Sequence, residues 1–317
     1  MVAAPVTPLR LVYFGTPQFA VPTLERLIAS PHAVVGVVTQ PDRPSGRGHQ
    51  TSPTPVKATA LPHGIPVFQP ATLKDPDIEP ALRALAPDLG VVAAYGRIIP
   101  ARLITLPRLG MINVHASLLP RYRGAAPIHR AVINGDAETG VTIMRVVPAL
   151  DAGAMFATAT RPIGEDETSD VVERDLAVLG ADLLVRVVDQ LAAGTAVEVE
   201  QDASRSTYAE RLTKDEGRVD WTLPAPVLRN RIRGLYPWPH AYTFLDGARL
   251  ILLHATPGPA TAAPAGTVIQ ADAGGLLVAA GGGTSLLVDR LQPEGRRPMD
   301  ARAFLAGRPV PVGAVLG

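Results

Sequence analysis

The sequence predicts an α/β protein: a largely parallel sheet over its first two thirds, followed by a small antiparallel domain. Three observations predict it. Apolar runs too short to be helices alternate with stretches of helical spacing as far as residue 193, the pattern of a parallel sheet covered on both faces. Over 194–207 that alternation breaks into Thr, Ser, Asp and Gln without periodicity. Beyond it come brief apolar runs separated by Gly-, Pro- and Asp-rich turns, the signature of a small barrel or sandwich. The expected division is a domain over 1–193, a linker over 194–212 and a second domain over 213–317.

In chain order, residues 11–14 form an apolar run that stops at Gly15, and Pro22 stands where a helix's first turn tolerates it, ahead of Leu24, Leu27 and Ile28. Val-rich 33–38 predicts a second strand, and Val67 with Phe68 a short third. Residues 81–86 have helical character, and 89–95 predict a fourth strand halted by Gly96. The stretch 111–124, MINVHASLLPRYRG, opens as a buried strand, and its Pro- and Arg-containing continuation cannot extend that strand. Two further strands are expected at 141–147 and 154–160. Residues 170–193 are apolar at helical spacing and close at Gly194, so they predict a long helix. Past the linker a short helix is expected over 226–235, then strands over 241–245, 250–253, 266–269, 276–278 and 285–291, with PATAAPAG as a surface loop.

Composition narrows the function classes. A hydrophobic content of 47% over 317 residues supports a sizeable core and excludes a disordered chain. The absence of cysteine removes disulfides, thiol nucleophiles and Cys-ligated metals together. No apolar run approaches the ~20 residues of a membrane span, and MVAAPVTPLR lacks a signal-peptide core, so a cytoplasmic protein is expected. With a net charge of only +1, any nucleic-acid contact must come from local patches.

Asn113 and His115 alternate on the expected strand and so project to one face. Their strand end is where open α/β sheets place ligands. Asp151 lies in LDAG, a loop between two strands, as a polar residue in apolar surroundings. A carboxylate against an imidazole fixes its tautomer and stabilises the imidazolium. A carboxamide beside it donates to a carbonyl oxygen that turns negative in a tetrahedral intermediate. That trio suits acyl transfer to a nucleophile that needs deprotonation but no covalent enzyme intermediate. On composition alone a lone N-x-H on a strand is more often structural. The turn at Gly15–Thr16–Pro17 lacks the G-x-G-x-x-G spacing and Pro17 removes a donor, which leaves a Rossmann-type dehydrogenase poorly supported.

INVHASLLPRYRGAAPI, followed by GDAETGVTIM and LDAG, resembles the signature of the formyltetrahydrofolate-dependent formyltransferases. LVYFGTPQFAVPTLERL, VVTQPDRPSGRG, VVAAYGRIIP, TYAERLTKDEGRVDW and RIRGLYPWP extend the likeness nearly end to end, toward members that formylate methionyl initiator tRNA. The resemblance implies a Rossmann-like N-terminal sheet and an OB-like C-terminal barrel that grips tRNA. It implies 10-formyltetrahydrofolate as donor and the α-amine of methionyl initiator tRNA as acceptor. Catalysis would fall to Asn113, His115 and Asp151, and folate binding to Ser117, Leu118, Leu119 and Pro120, with Leu119–Pro120 a candidate cis peptide. An α-amine with a pKa of about 7.7–8.0 has a useful neutral fraction near pH 7, so no metal is expected. Ser117 as a nucleophile is disfavoured, because no G-x-S-x-G turn surrounds it. No membrane contact is expected, and a monomer is.

The pterin pocket is expected at the strand end carrying Tyr95, Gly96, Arg97 and Ile98. Residues 40–57, rich in Pro and Gly, are read as a mobile, non-helical basic loop bringing Arg43, Arg47 and Lys57 to the acceptor stem. The family's GRG motif falls on Gly46, Arg47 and Gly48, and its usual Lys pair is replaced by His49–Gln50. Arg121 and Arg123 flank the catalytic turn and are expected to hold phosphate or the acceptor end. Arg229, Arg231 and Arg233 spread around a helical segment, and Arg290, Arg296, Arg297, Arg302 and Arg308 give the later chain a basic bias. Two rivals stay open: a folate-dependent formyltransferase acting on a sugar-nucleotide or purine-precursor amine, and a non-catalytic RNA-binding protein on an α/β scaffold.

Overall fold

The computed structural model of the chain describes residues 7–45 and 50–317. Its first part runs β1 (Arg10–Gly15), α1 (Val21–Ile28), β2 (Ala33–Val38), β3 (Arg43–Ser45), β4 (Gln50–Ser52), α2 (Pro55–Ala60), β5 (Val67–Phe68), α3 (Ile78–Ala84), β6 (Leu89–Ala93), α4 (Ala101–Ile104) and β7 (Met111–His115). It continues through β8 (Arg123–Gly124), α5 (Pro127–Asn134), β9 (Glu138–Arg145), β10 (Met155–Pro162) and α6 (Ser169–Ala193). Then come β11 (Tyr208–Ala209), α7 (Ala225–Gly234), β12 (Ala241–Leu245), β13 (Ala248–Pro257), β14 (Val268–Asp272), β15 (Gly275–Ala280), β16 (Thr284–Pro293), β17 (Met299–Asp300) and α8 (Ala301–Gly307).

Seven strands form one sheet in the order β10-β9-β7-β6-β1-β2-β5. Neighbours from β5 to β7 are parallel, and β9 runs antiparallel to β7. The central strand β6 is buried at every position, which is why its sequence is an unbroken apolar run. From β1 the chain builds outward through β2 and β5, then returns to add β6 on the other side. The carboxyl ends of β1 and β6 therefore form the crevice where such sheets take ligands. On α1, Val21, Leu24 and Leu27 face the core while Glu25 and Arg26 stay in water. One apolar cluster joins Val12, Phe14, Val38, Leu82, Val92, Tyr95, Leu103 and Met111.

The described residues cluster into two compact units: 1–124 with 139–161 and 173–208, and 125–138 with 162–172 and 209–317. In the second, an antiparallel sheet in the order β12-β13-β16-β15-β14 wraps a core containing Trp221, Leu228, Ile232, Val268, Leu286 and Phe304. The C-terminal tail bridges the two edge strands, since Val268 donates to the Ala314 carbonyl and Gly317 donates to that of Phe244, at 2.8 and 3.1 Å. The result is a partly open barrel, the OB-like arrangement that the resemblance implied.

Several expectations shift. The helix expected over 81–86 spans Ile78–Ala84, because Pro87 disfavours helical backbone at Ala86, which adopts φ +45°. Residues 40–57 are not a plain loop: β3 and β4 pair as an antiparallel hairpin, and Lys57 lies in the first turn of α2. Thr54 caps that helix by accepting from the Lys57 N–H, and Pro55 sits where no backbone donor is needed. Arg47, with Gly46, Gly48 and His49, lies outside the described residues. No helix among the described residues is long and apolar enough to cross a membrane.

Candidate active site

β7 is buried on both faces except at Asn113, and Asn113 and His115 share one face at the carboxyl end of the strand. Asn113 is half-buried, and no hydrogen bond joins its carboxamide to another described residue. Its two N–H donors are therefore available to a substrate. His115 is buried, and both of its ring nitrogens face acceptors. Nε2 lies 2.9 Å from the Tyr122 carbonyl oxygen, and Nδ1 lies 3.7 Å from Asp151 Oδ2. A carbonyl only accepts, so Nε2 carries a proton, and Tyr122 rather than Asp151 sets that side of the ring. At 3.7 Å the carboxylate stands at ion-pair distance, beyond hydrogen-bond length.

The same Asp151 oxygen accepts the Gly124 N–H at 2.9 Å. Tyr122, Gly124 and Asp151 all adopt positive φ, at +60°, +115° and +47°. For a residue with a side chain that conformation costs about 1–3 kcal/mol, and such strain collects where surrounding structure imposes it. In LDAG the glycine is obligatory, since a Cβ on Gly153 would lie 2.0 Å from the Arg145 carbonyl oxygen.

The turn after β7 is pinned from below. Thr142, opposite His115 on β9, donates its hydroxyl to the Ser117 carbonyl at 2.7 Å and accepts the Leu119 N–H at 3.1 Å. Ser117 is fully buried and its hydroxyl donates to the Arg121 carbonyl at 2.7 Å. That hydroxyl is committed to the turn. Leu119–Pro120 is cis, while Leu118 and Pro120 are the members of this segment that reach the surface. Replacing Ser117 by Ala is expected to lower stability by about 1 kcal/mol and leave transfer within a few-fold of the parent, measured by thermal melt and initial rate.

At the other side of the crevice the Tyr95 ring turns into the core, packing edge-on against Phe14 with centroids 5.6 Å apart. Burial pushes its hydroxyl pKa up, and that hydroxyl has no hydrogen-bond partner among the described residues. Only the Tyr95 backbone serves the rim: its carbonyl accepts from Thr16 Oγ1 at 3.2 Å and from Gln40 Nε2 at 2.9 Å. Tyr95→Phe is expected to raise stability by roughly 1 kcal/mol, because it removes an unsatisfied buried group; a denaturant midpoint checks it. Gly96 follows at φ +79°, and Ile98 is 88% exposed, a large apolar side chain beside the crevice.

The basic residues divide. Arg43 is exposed and donates to Gln40 Oε1 at 2.9 Å. Lys57 is engaged internally, 2.5 Å from Asp42, and its hydrogen bond holds the Asp42 carboxyl below its usual range. Arg121 is exposed with its guanidinium 5.1 Å from the Tyr122 ring centre. Arg123 directs Nε and Nη2 at Gln201 Oε1, at 3.0 and 2.7 Å. On α7 all three arginines serve the second unit itself: Arg229 pairs with Asp166 at 2.8 Å, Arg231 donates to the Glu216 carbonyl, and Arg233 to those of Gly164 and Glu167. Among the described residues no cluster of three or more His, Asp or Glu lies close enough to hold a metal.

Residue types alone missed Thr142, the Tyr122 carbonyl, the Gly124 N–H and Gln201. Two of these are backbone groups, which carry no sequence signal, and Gln201 lies in the stretch expected to be linker.

Comparison with known proteins identifies the family. A family model described as formyl transferase matches residues 9–188, and a second, described as formyl transferase, C-terminal domain, matches 211–309. A methionyl-tRNA formyltransferase of Methylococcus capsulatus is 50% identical over 298 residues, covering 94% of this chain and 96% of that protein. Another, of Moorella thermoacetica, is 47% identical over 310 residues, covering 98% and 99%. Among solved structures, an N-formyltransferase of Helicobacter canadensis in complex with folinic acid and dTDP-3-aminofucose superposes with a TM-score of 0.68 at 16% identity, over 90% of this chain and 99% of that one. HypX of Aquifex aeolicus in complex with tetrahydrofolic acid superposes with a TM-score of 0.65 at 14% identity, over 94% and 47%.

Proposed function

Since the chain belongs to the formyl transferase family, among the methionyl-tRNA formyltransferases, we propose that it moves the formyl group of 10-formyltetrahydrofolate onto the α-amine of methionyl initiator tRNA. The product is N-formylmethionyl-tRNA for translation initiation, made by a cytoplasmic monomer. The observation that carries the mechanism is the pairing of an uncommitted Asn113 carboxamide with a His115 ring held between the Tyr122 carbonyl and the Asp151 carboxylate.

The neutral amine attacks the formyl carbon directly. Charge then develops on the formyl oxygen, where the Asn113 N–H donors stabilise it in a partly water-excluded site. His115, in its protonated form, adds positive charge nearby. As the intermediate collapses, a proton leaves the attacking nitrogen and one reaches the departing folate nitrogen, and His115 with water relays them. Asp151 faces the ring and supports its positive form. The committed Ser117 hydroxyl argues against a formyl-enzyme intermediate.

For the donor, the supporting features are the crevice between β1 and β6, the exposed Ile98 and the half-buried Leu118 and Pro120. A flat heterocycle needs apolar walls with a few polar anchors, and backbone at Gly96 and in the 117–120 turn suits that need. For tRNA, we read Arg43, Arg47 and Arg121 as phosphate contacts, with Arg123 held back by Gln201.

One assay tests the reading. The enzyme is supplied with 10-formyltetrahydrofolate and, in turn, methionyl initiator tRNA, uncharged tRNA, or small amines including amino-sugar nucleotides. Formylation of the charged tRNA alone is expected. Transfer to an amino-sugar nucleotide with none to charged tRNA would overturn the acceptor, and no transfer to any acceptor would overturn the activity.

A further inference from the structure

The segment 194–207, which residue types mark only as a connection, delivers one side chain to the back of the catalytic carboxylate. Gln201 Nε2 donates to the Asp151 carbonyl and to the Gly153 carbonyl, both at 2.8 Å. Its Oε1 accepts from Arg123 Nε and Nη2 at 3.0 and 2.7 Å. One carboxamide therefore satisfies all of its strong hydrogen-bonding capacity at once, two donors and two accepted bonds.

Its partners are the two walls of the Asp151 cradle. One wall is the LDAG loop, where Asp151 sits at φ +47° and Gly153 is pressed against the Arg145 carbonyl. The other is the turn at 122–124, whose Gly124 N–H holds Asp151 Oδ2 and whose Tyr122 carbonyl holds His115 Nε2. Aspartate enters left-handed backbone more readily than most residues, yet at a cost that surrounding contacts must offset. Gln201 supplies such a contact, binding the Asp151 carbonyl while it fixes the neighbouring Arg123. The stretch carrying it is anchored in turn, since Val199 and Met155 exchange backbone bonds at 2.8 and 2.9 Å and Thr207 Oγ1 accepts the Tyr122 N–H at 2.9 Å.

We infer that Gln201 is a positioning residue for Asp151, holding the carboxylate against His115 by joining the LDAG loop to the Arg123 turn. The inference rests on the proposed role of Asp151 in formyl transfer. Gln201 touches neither the carboxylate nor the imidazole, so its effect passes through the backbone.

The test compares Gln201→Leu, which removes all four bonds at similar size, with Gln201→Glu, which keeps the acceptor for Arg123 but loses both donors to the carbonyls. Formyl transfer is measured at saturating and limiting concentrations of 10-formyltetrahydrofolate and methionyl initiator tRNA, alongside thermal melts. Both variants are expected to lose ~10–100-fold in kcat, the scale of an ångström-sized misplacement, with KM for either substrate moving less than about three-fold. In an Asp151→Asn background, Gln201→Leu is expected to add less than about two-fold, because two changes acting through one group are not additive. A Leu variant within two-fold of the parent overturns the inference. So does a Glu variant at parental rate, which would locate the role in Arg123, or a full multiplicative loss in the double variant. Should the Leu variant fail to fold, the Glu variant alone and in the Asp151→Asn background decides on the same criteria. Asp151→Asn at parental rate would instead overturn the catalytic reading of Asp151, whatever Gln201 does.

Discussion

Asn113→Ala is expected to slow formyl transfer by ~10²–10³-fold at saturating substrates, the cost of one oxyanion donor and about 2.7–4 kcal/mol of barrier. The size follows from where the group stands. Asn113 is half-buried, two residues from His115 on the same strand face, and no described residue takes its donors. A donor aimed in advance at the position where charge appears needs no reorganisation during the reaction, which is why its loss falls on kcat. KM for the folate and for the charged tRNA should change little, because the ground-state formyl oxygen carries no full charge. Asn113→Asp should be at least as damaging, since it replaces donors with a negative charge facing a developing negative charge. Single-turnover transfer of labelled formyl at saturation checks both. A loss below three-fold in the Ala variant would remove Asn113 from the mechanism.

His115→Ala comes second, with an expected loss of about 10²-fold, the lower end of what a positioned acid–base group contributes. The structure argues for the lower end. Nε2 is held by the Tyr122 carbonyl, the ring is buried, and its other nitrogen faces Asp151, so protons reach the reacting nitrogens through water rather than by direct contact. Removing the ring also takes away the imidazole that faces the partly buried Asp151 carboxylate, a loss that adds to the lost relay. A small amine of imidazole type supplied in solution should restore part of the rate to the Ala variant and none to Asn113→Ala. Rescue of both variants alike, or of neither, would count against the separate roles assigned to the two residues.

Much of the scaffold could be read from residue order. The strands β1 and β6 are buried through most of their length, and with β2 they show as apolar runs in the sequence, while β7 opens as one at Met111–Ile112. The 25-residue α6 is long enough for helical spacing to show over the noise of individual residues, and Gly194 at φ +69° ends it as a helix-closing glycine should. Several short helices left no such trace, unlike α1, where Leu24, Leu27 and Ile28 mark the spacing. α2, α4 and α5 have 6, 4 and 8 residues and are begun by prolines, which resemble loop punctuation when read one residue at a time. The 40–57 stretch misled for the same reason: its prolines sit at a hairpin and a helix start, where no backbone donor is missed.

The site divides along similar lines. Asn113 and His115 are two apart on one strand, so strand geometry alone puts them on one face. Tyr95 also lay at the expected strand end, yet its ring faces the core and only its carbonyl serves the rim, because the left-handed turn at Ala94 and Gly96 reverses the chain around it.

Residue type and spacing were thus sufficient for the α/β layering and the separate antiparallel domain, and the resemblance of its longer motifs for the family to which the chain belongs. Which groups surround His115 came from folding alone. The Tyr122 carbonyl, the Gly124 N–H and the two carbonyls under Gln201 are main-chain atoms that every residue carries, so no letter marks them. Their arrangement exists only once distant segments pack around Asp151 and its left-handed backbone.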